Sequence, residues 1–287
     1  MIPRIVKSRM WLREFNISQY PEDDRTVFFI TPPEVYPDLF CRRFPSIVMK
    51  SRHKEWRAAK NGKASFLSFE PDVLSEEDLE AVTEWKDRFS QYVLLGLNQH
   101  IESVFSAELD FCLALDYTFI AGHPGIHTLY GGAIYQLKHQ NNIHALDTLS
   151  GGLSKALMEL NQMFEPQSPV ISIVPSPATP CSVPRKLARA VSRQTGFEFV
   201  DCSLHCDKQN LKNLPISDKA REWNHIYARP DCVKRSADSK GKTVFLIDDL
   251  YRSGTTLWSC AKYLKRAGAT CVIGLVCVKN FRDTDNR

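Results

Sequence analysis

Apolar residues follow two different rhythms along this chain. In the first part, Leu79, Val82, Trp85, Phe89, Val93 and Leu97 recur at steps of three or four. They follow Ser75-Glu-Glu-Asp78, a hydroxyl cap with acids in the first turn. That spacing predicts an amphipathic helix running to about Phe105. Residues 1–74 hold short apolar runs such as Val27–Ile30 among scattered prolines and aromatics and give no firm element. Gly122-His-Pro-Gly125 is a strong breaker. It is the expected boundary between an N-terminal domain of unknown type, 1–122, mixed and partly helical, and a second domain, 123–287.

Beyond it, continuous apolar runs alternate with helical patterns. Ile134 to Met163 reads as helix, with a break expected at Gly151-Gly152. Val170–Val174 is a β-branched strand ending in Pro-Ser-Pro, and Pro184 to Gln194 a helix closed by Gly196. Phe197–Val200 reads as strand. Residues 203–241 are polar with little periodicity and predict a long functional loop or an irregular insertion. Thr243–Ile247 is a buried strand, Thr256 to Ala267 a helix stopped by Gly268, and Thr270–Val278 another buried strand. Continuous apolar strands linked by helices predict an α/β domain with a parallel sheet.

Composition narrows the classes. With 287 residues, 43% hydrophobic and 24% charged, the chain is long and apolar enough for one large or two ordinary globular domains. The longest uncharged apolar run, Ala269 to Val278, is too short to cross a membrane, and the N-terminal residues lack a signal-peptide pattern. Nine cysteines, an odd number without a CxxC pair, predict reduced thiols and a cytoplasmic protein. No metal site is expected. Cys202-x-x-His205-Cys206 lacks further ligands, and Pro-Gly between His123 and His127 opposes the helix their spacing would need. Net charge is only +4, yet residues 185–242 hold 13 Lys/Arg against 7 Asp/Glu. Such an excess suits an anionic ligand, a phosphorylated metabolite or a nucleic-acid backbone, or is a solvated face.

The segment Thr243 to Leu257 carries the chemistry. Its apolar strand ends in two adjacent carboxylates, Asp248 and Asp249, and a short loop leads straight into a helix. Ligands of open parallel sheets sit at the carboxyl ends of strands. The following helix N-terminus offers backbone N–H groups and a positive dipole end to a phosphate. Gly254 permits close backbone approach, and Ser253, Thr255 and Thr256 add hydroxyl donors. The carboxylates suit sugar hydroxyls or hydrated Mg2+. Together these describe a ribose 5-phosphate site. No Walker P-loop spacing occurs in the chain.

Val244 to Leu257 resembles the phosphoribosyl-pyrophosphate (PRPP) motif of the type I phosphoribosyltransferases. Three further segments resemble the ComF-type branch: Ile134-x-x-Leu137-Lys138-His139, Val174-Pro-Ser-Pro177, and Asn213-x-x-Ile216-Ser217-x-x-Ala220-Arg221-x-x-Asn224. The matches cover about residues 126–280. The chain departs from that branch in lacking CxxC knuckles of an N-terminal zinc ribbon, in Asn213 and Ala220 for the usual Gln and Glu, and in Arg252 within the loop.

The resemblance implies a phosphoribosyltransferase-like core and the following roles. The 5-phosphate of PRPP lies on Ser253, Gly254, Thr255 and Thr256, and Asp248 and Asp249 take the ribose hydroxyls. Pyrophosphate lies against Pro175 and Ser176, carrying Mg2+ with it, with Lys138 in reach and Arg221 closing over it from a mobile segment. A base or related acceptor then displaces pyrophosphate at C1. Two alternatives stay open: a non-catalytic PRPP or nucleotide sensor, and a ComF-like protein acting in DNA uptake or nucleic-acid handling through residues 185–242. The acceptor and the oligomeric state, a homodimer included, are left open.

Overall fold

The computed structural model of the chain describes residues 14–20, 25–31, 40–59, 65–89, 91–95, 104–106, 108–120, 122–123, 125–177, 182–206 and 214–280. The chain forms two compact units, Met1–Gly96 and Leu97–Arg287.

In the first unit, β1 (Glu14–Tyr20), β2 (Arg25–Thr31), β3 (Arg57–Ala58) and β4 (Ser65–Phe69) form an antiparallel sheet ordered β1-β2-β4-β3. Two helices accompany it, α1 (Pro45–Lys50) and α2 (Glu76–Phe89). The start of α2 is the expected one. The Asp78 N–H donates to Ser75 Oγ, and the Ser75 N–H donates to Asp78 Oδ2, a reciprocal cap. Its buried face, Val82, Trp85 and Phe89, joins a ring cluster with Phe40 and Phe44. The helix stops at Phe89 rather than near Phe105. Val93–Leu94, buried and next in the helical spacing, form a short strand (β5), so a period of four continues across two element types.

The second unit carries five parallel strands of the central sheet, in the order β6 (Phe111–Tyr117), β13 (Cys271–Lys279), β12 (Thr243–Tyr251), β7 (Val170–Ile173), β9 (Glu198–Val200). Their apolar runs are almost wholly buried, as in a sheet covered on both faces. Alternation of side chains assigns the faces. On one side, Leu115 meets helix α4 (Ile143–Phe164), where Gly152 leaves room for it; a Cβ there would lie 2.7 Å from the Leu115 side chain. On the other, Cys112 and Gly274 face Leu257 of helix α7 (Thr255–Arg266). Helices α3 (Leu129–Gln140) and α5 (Val183–Thr195) pack against α4. The compact units divide ahead of the expected break at residues 122–125, which here joins β6 to α3.

Two expectations change. The long helix is broken at Asn141-Asn142, not at Gly151-Gly152. Asn141 takes the left-handed conformation that ends α3, and the Asn142 side chain caps α4 by accepting from the His144 N–H. Residues 203–241 are not one loop. They hold β10 (Cys202–Leu204), helix α6 (Ile216–Ala228) and β11 (Val233–Arg235); β10 joins β11 and β8 (Ser176–Pro177) in a second small sheet. Helix α6 buries Ile216, Ala220, Trp223 and Ile226. A ring stack, Trp223 on Tyr227 and Tyr227 on Tyr263 at 4.4 Å, fixes it to α7.

Among the described residues, Cys112, Cys202, Cys232, Cys260 and Cys277 are buried free thiols. No helix among the described residues is long and apolar enough to cross a membrane, and no cluster of three or more His, Cys, Asp or Glu there could hold a metal ion.

Candidate functional site

Strand β12 runs four residues beyond the apolar core expected of it, so both carboxylates belong to the strand. Successive strand side chains point to opposite faces. Asp249 therefore turns to the face covered by α3, where the Lys138 ammonium lies 2.6 Å from its Oδ2. Asp248 turns toward the α7 face, and its Oδ1 accepts the Asp249 N–H at 2.8 Å. Burial pushes the Asp248 carboxyl well above the usual carboxylate range, and the neighbouring Asp249 charge pushes it further; the Asp249 N–H and Lys138 oppose this. One carboxyl inclined to keep its proton thus stands beside one paired with an ammonium. That arrangement offers both a donor and an acceptor to adjacent hydroxyls.

The loop after β12 is built from behind. Gly254 has φ +78, and a Cβ there would lie 2.2 Å from the Tyr251 hydroxyl oxygen. The Tyr251 ring is held in turn, its hydroxyl accepting from Trp258 Nε1 at 3.1 Å. Lys279, buried at the end of β13, donates from Nζ to the carbonyls of Arg252 and Asn280 at 3.1 Å each and lies 5.4 Å from the Tyr251 ring centre. A buried ammonium behind the loop adds positive potential to the helix N-terminus it supports. Gly254 is the N-cap of α7, whose first turn has no acidic residue. Ser253 and Thr255 hydroxyls are 3.0 Å apart and buried, and Thr256 is half-buried. Sequence reasoning placed Ser253 to Thr256 here but missed Tyr251, Trp258 and Lys279. No motif marks them; they act through tertiary contact.

The turn at Pro175 and Ser176 follows the adjacent strand β7, and both residues are buried. Ser176 is in register with Ser203 of β10, and its hydroxyl donates to Ser182 Oγ at 3.2 Å. Beneath it lies Arg185, 2% exposed. Its Nε donates to both Asp201 carboxylate oxygens, Nη1 to Ser182 Oγ and Nη2 to Ser203 Oγ. One cation of the basic stretch is thus a structural anchor of this turn. Lys186 donates to Asn141 Oδ1 at 2.6 Å.

The structure brings Lys138 to Asp249, and Ser253, Gly254 and Thr255 to one another. It places Arg221 on the exposed face of α6, with Nη2 2.6 Å from Asp218 Oδ1. Residues 207–213, part of the expected mobile segment, lie outside the described residues.

The family model described as "Phosphoribosyl transferase domain" matches residues 182–286. No curated protein matches the chain. Among solved structures, it is similar to the purine phosphoribosyltransferase from Pyrococcus horikoshii Ot3 at 15% identity, over 50% of this chain and 86% of that one, with a TM-score of 0.30. It is also similar to a hypoxanthine phosphoribosyltransferase from Staphylococcus aureus at 13% identity, over 50% of this chain and 70% of that one, with a TM-score of 0.31. The second unit has a phosphoribosyltransferase-like α/β core, and the matched span contains the whole strand–loop–helix of the carboxylates.

Proposed function

We propose that the protein binds PRPP and transfers its phosphoribosyl group to a heteroaromatic base or related acceptor. One observation carries the reading: a paired carboxylate and a second, protonation-prone carboxyl end a parallel strand directly before an acid-free helix N-terminus. The 5-phosphate sits on the N–H groups and hydroxyls of Ser253, Gly254, Thr255 and Thr256. Asp248 and Asp249 hold the ribose hydroxyls. Pro175 and Ser176 face the pyrophosphate, with Lys138 and Arg221 as its cationic partners. Mg2+ fits as an ion carried in by the pyrophosphate, since two carboxylates and ligand phosphates are its usual company; when bound it neutralises the leaving group. The ComF-type branch, suggested by the segments around Lys138, Pro175 and Arg221, is part of the same proposal.

The test is thermal unfolding with PRPP, with and without Mg2+. A ligand at a hundredfold its dissociation constant adds about 2.7 kcal/mol. Asp248→Asn with Asp249→Asn is expected to abolish that stabilisation while the apo protein stays folded. An unchanged ligand response in the double variant removes sugar recognition from these residues. Stabilisation by PRPP without release of pyrophosphate on addition of any base favours the sensor.

A further inference from the structure

A ladder of four neighbouring rings, one pair stacked and two tilted, climbs away from the carboxylates. Phe119 and His127 have centroids 4.6 Å apart, His127 and Tyr135 5.5 Å, and Tyr135 and His139 4.7 Å, with interplanar angles of 27°, 31° and 45°. Backbone pairing ties its base. Phe119 and His127 form a β-bridge, and the Ile120 N–H donates to the Ile126 carbonyl. Thr118 ties the loop to β13 through its N–H and hydroxyl, both donating to the Lys279 carbonyl. Helix α3 docks so closely here that a Cβ on Gly131 would lie 1.9 Å from the Thr118 oxygen. The ladder therefore stands at the sheet end that carries Asp248, Asp249 and the phosphate loop.

Helical geometry sets its distance from the carboxylates. Tyr135 and Lys138 are three residues apart on α3 and so are surface neighbours. Lys138 points to Asp249, and Tyr135 and His139 flank it outward. Tyr135 is 49% exposed, and Ile120, Ile126 and Leu129 around the ladder are exposed too. This apolar, aromatic surface adjoins a polar pair. The polar chemistry of the ladder is also defined. His127 Nδ1 lies 3.2 Å from the Thr118 carbonyl, which only accepts, so Nδ1 donates. With Nδ1 as the N–H of one tautomer, Nε2 is the acceptor of that tautomer.

We propose that this ladder seats the heteroaromatic ring of the ligand, which stacks on Tyr135 and His139 and donates a ring N–H to His127. The proposal rests on the reading above, because the carboxylates one side chain away would hold the attached ribose. The occupant is a single planar heterocycle rather than a nucleic-acid strand: the ladder ends at a two-carboxylate site suited to one sugar.

Titration calorimetry with AMP, UMP and ribose 5-phosphate, in Mg2+ buffer, tests it on the full chain. Tyr135→Ala is expected to weaken both nucleotides about tenfold or more, the usual worth of one base stack, and to leave ribose 5-phosphate unchanged. Adenine alone should move the His127 and His139 ring-proton resonances, in the wild type and in Asp248→Asn/Asp249→Asn alike. Undiminished nucleotide affinity in Tyr135→Ala, or immobile histidine resonances, overturns the ladder. A thymidine oligonucleotide that competes with AMP and binds more tightly also overturns it, in favour of a strand-binding surface. The two readings fail separately. Loss of ribose 5-phosphate in the double aspartate variant with no effect of Tyr135→Ala sinks only the ladder. The reverse pattern sinks only the sugar assignment.

Discussion

Lys138 Nζ lies 2.6 Å from Asp249 Oδ2, linking β12 in the middle of the sheet to the helix packed on β6 and β13. The pair is half-buried, so its net worth is modest, but its ammonium is a cation that opposes the upward push on the Asp248 carboxyl. Lys138→Met would leave two adjacent carboxyls without a cation. Ribose 5-phosphate binding in that variant is expected to become steeply pH-dependent, weakening as the pair is forced to ionise. The wild type should change less over the same pH range. Calorimetry across pH 5–8 checks this, and parallel pH profiles would remove Lys138 from the site's charge balance.

Asp248 itself sets a stability prediction. Its folded carboxyl lies above its unfolded value because burial and the Asp249 charge disfavour ionisation. An acid raised on folding contributes nothing below its unfolded range, near 3.9, and an increasing penalty as pH rises through its folded value. Asp248→Asn is therefore expected to raise the melting temperature of the ligand-free protein at neutral pH, and the gain should vanish toward pH 4. Melting curves over that range measure it.

Gly254 should tolerate no side chain. Its φ of +78 is strained for an L-residue, and the Tyr251 ring occupies the Cβ position. Gly254→Ala is expected to cost about 1–3 kcal/mol in urea unfolding and to lose phosphate affinity together with stability. Ser259, one turn into α7, is a control: its buried hydroxyl has no hydrogen-bond partner among the described residues. Ser259→Ala should be neutral or slightly stabilising and bind ligand normally.

Arg185 separates structural from ligand-binding charge in the basic stretch. Removing this buried arginine takes the cation from the partly exposed Asp201 and a donor from Ser182 and Ser203, at a cost of about 1–3 kcal/mol. Arg185→Ala should therefore appear as a large fall in unfolding free energy, whatever the ligand.

Arg221 should behave in the opposite way. Its side chain is 68% exposed and, among the described residues, pairs along its own helix turn with Asp218. Arg221→Ala is expected to change stability by less than about 0.5 kcal/mol. If it serves pyrophosphate, it should weaken PRPP far more than a nucleoside monophosphate. Equal affinities for wild type and variant would take it out of the site.

Much of this was written in the sequence, where the signal is local. Apolar runs marked three of the parallel strands in the second unit, and Phe197–Val200, interrupted by Glu198, a fourth. Asp248 to Thr256 were legible because strand, carboxylates, loop and helix start are consecutive, and period-two alternation alone sends the two carboxylates to opposite faces. Gly196 and Ser75 announced helix ends through their own backbone chemistry. Other features needed the fold. Helix α6 was hidden because its buried face includes Lys219 and Ala220 and is completed by Tyr263 of another helix. The end of α2 was hidden because Val93 is buried equally well as helix or strand. The cation that meets Asp249, the tyrosine and lysine that support Gly254, and the arginine under Ser176 come from distant segments. A sequence shows which side chains have charges and rings. Only the packed sheet decides which of them come within hydrogen-bonding distance, because those distances are set by crossovers that bring remote segments together.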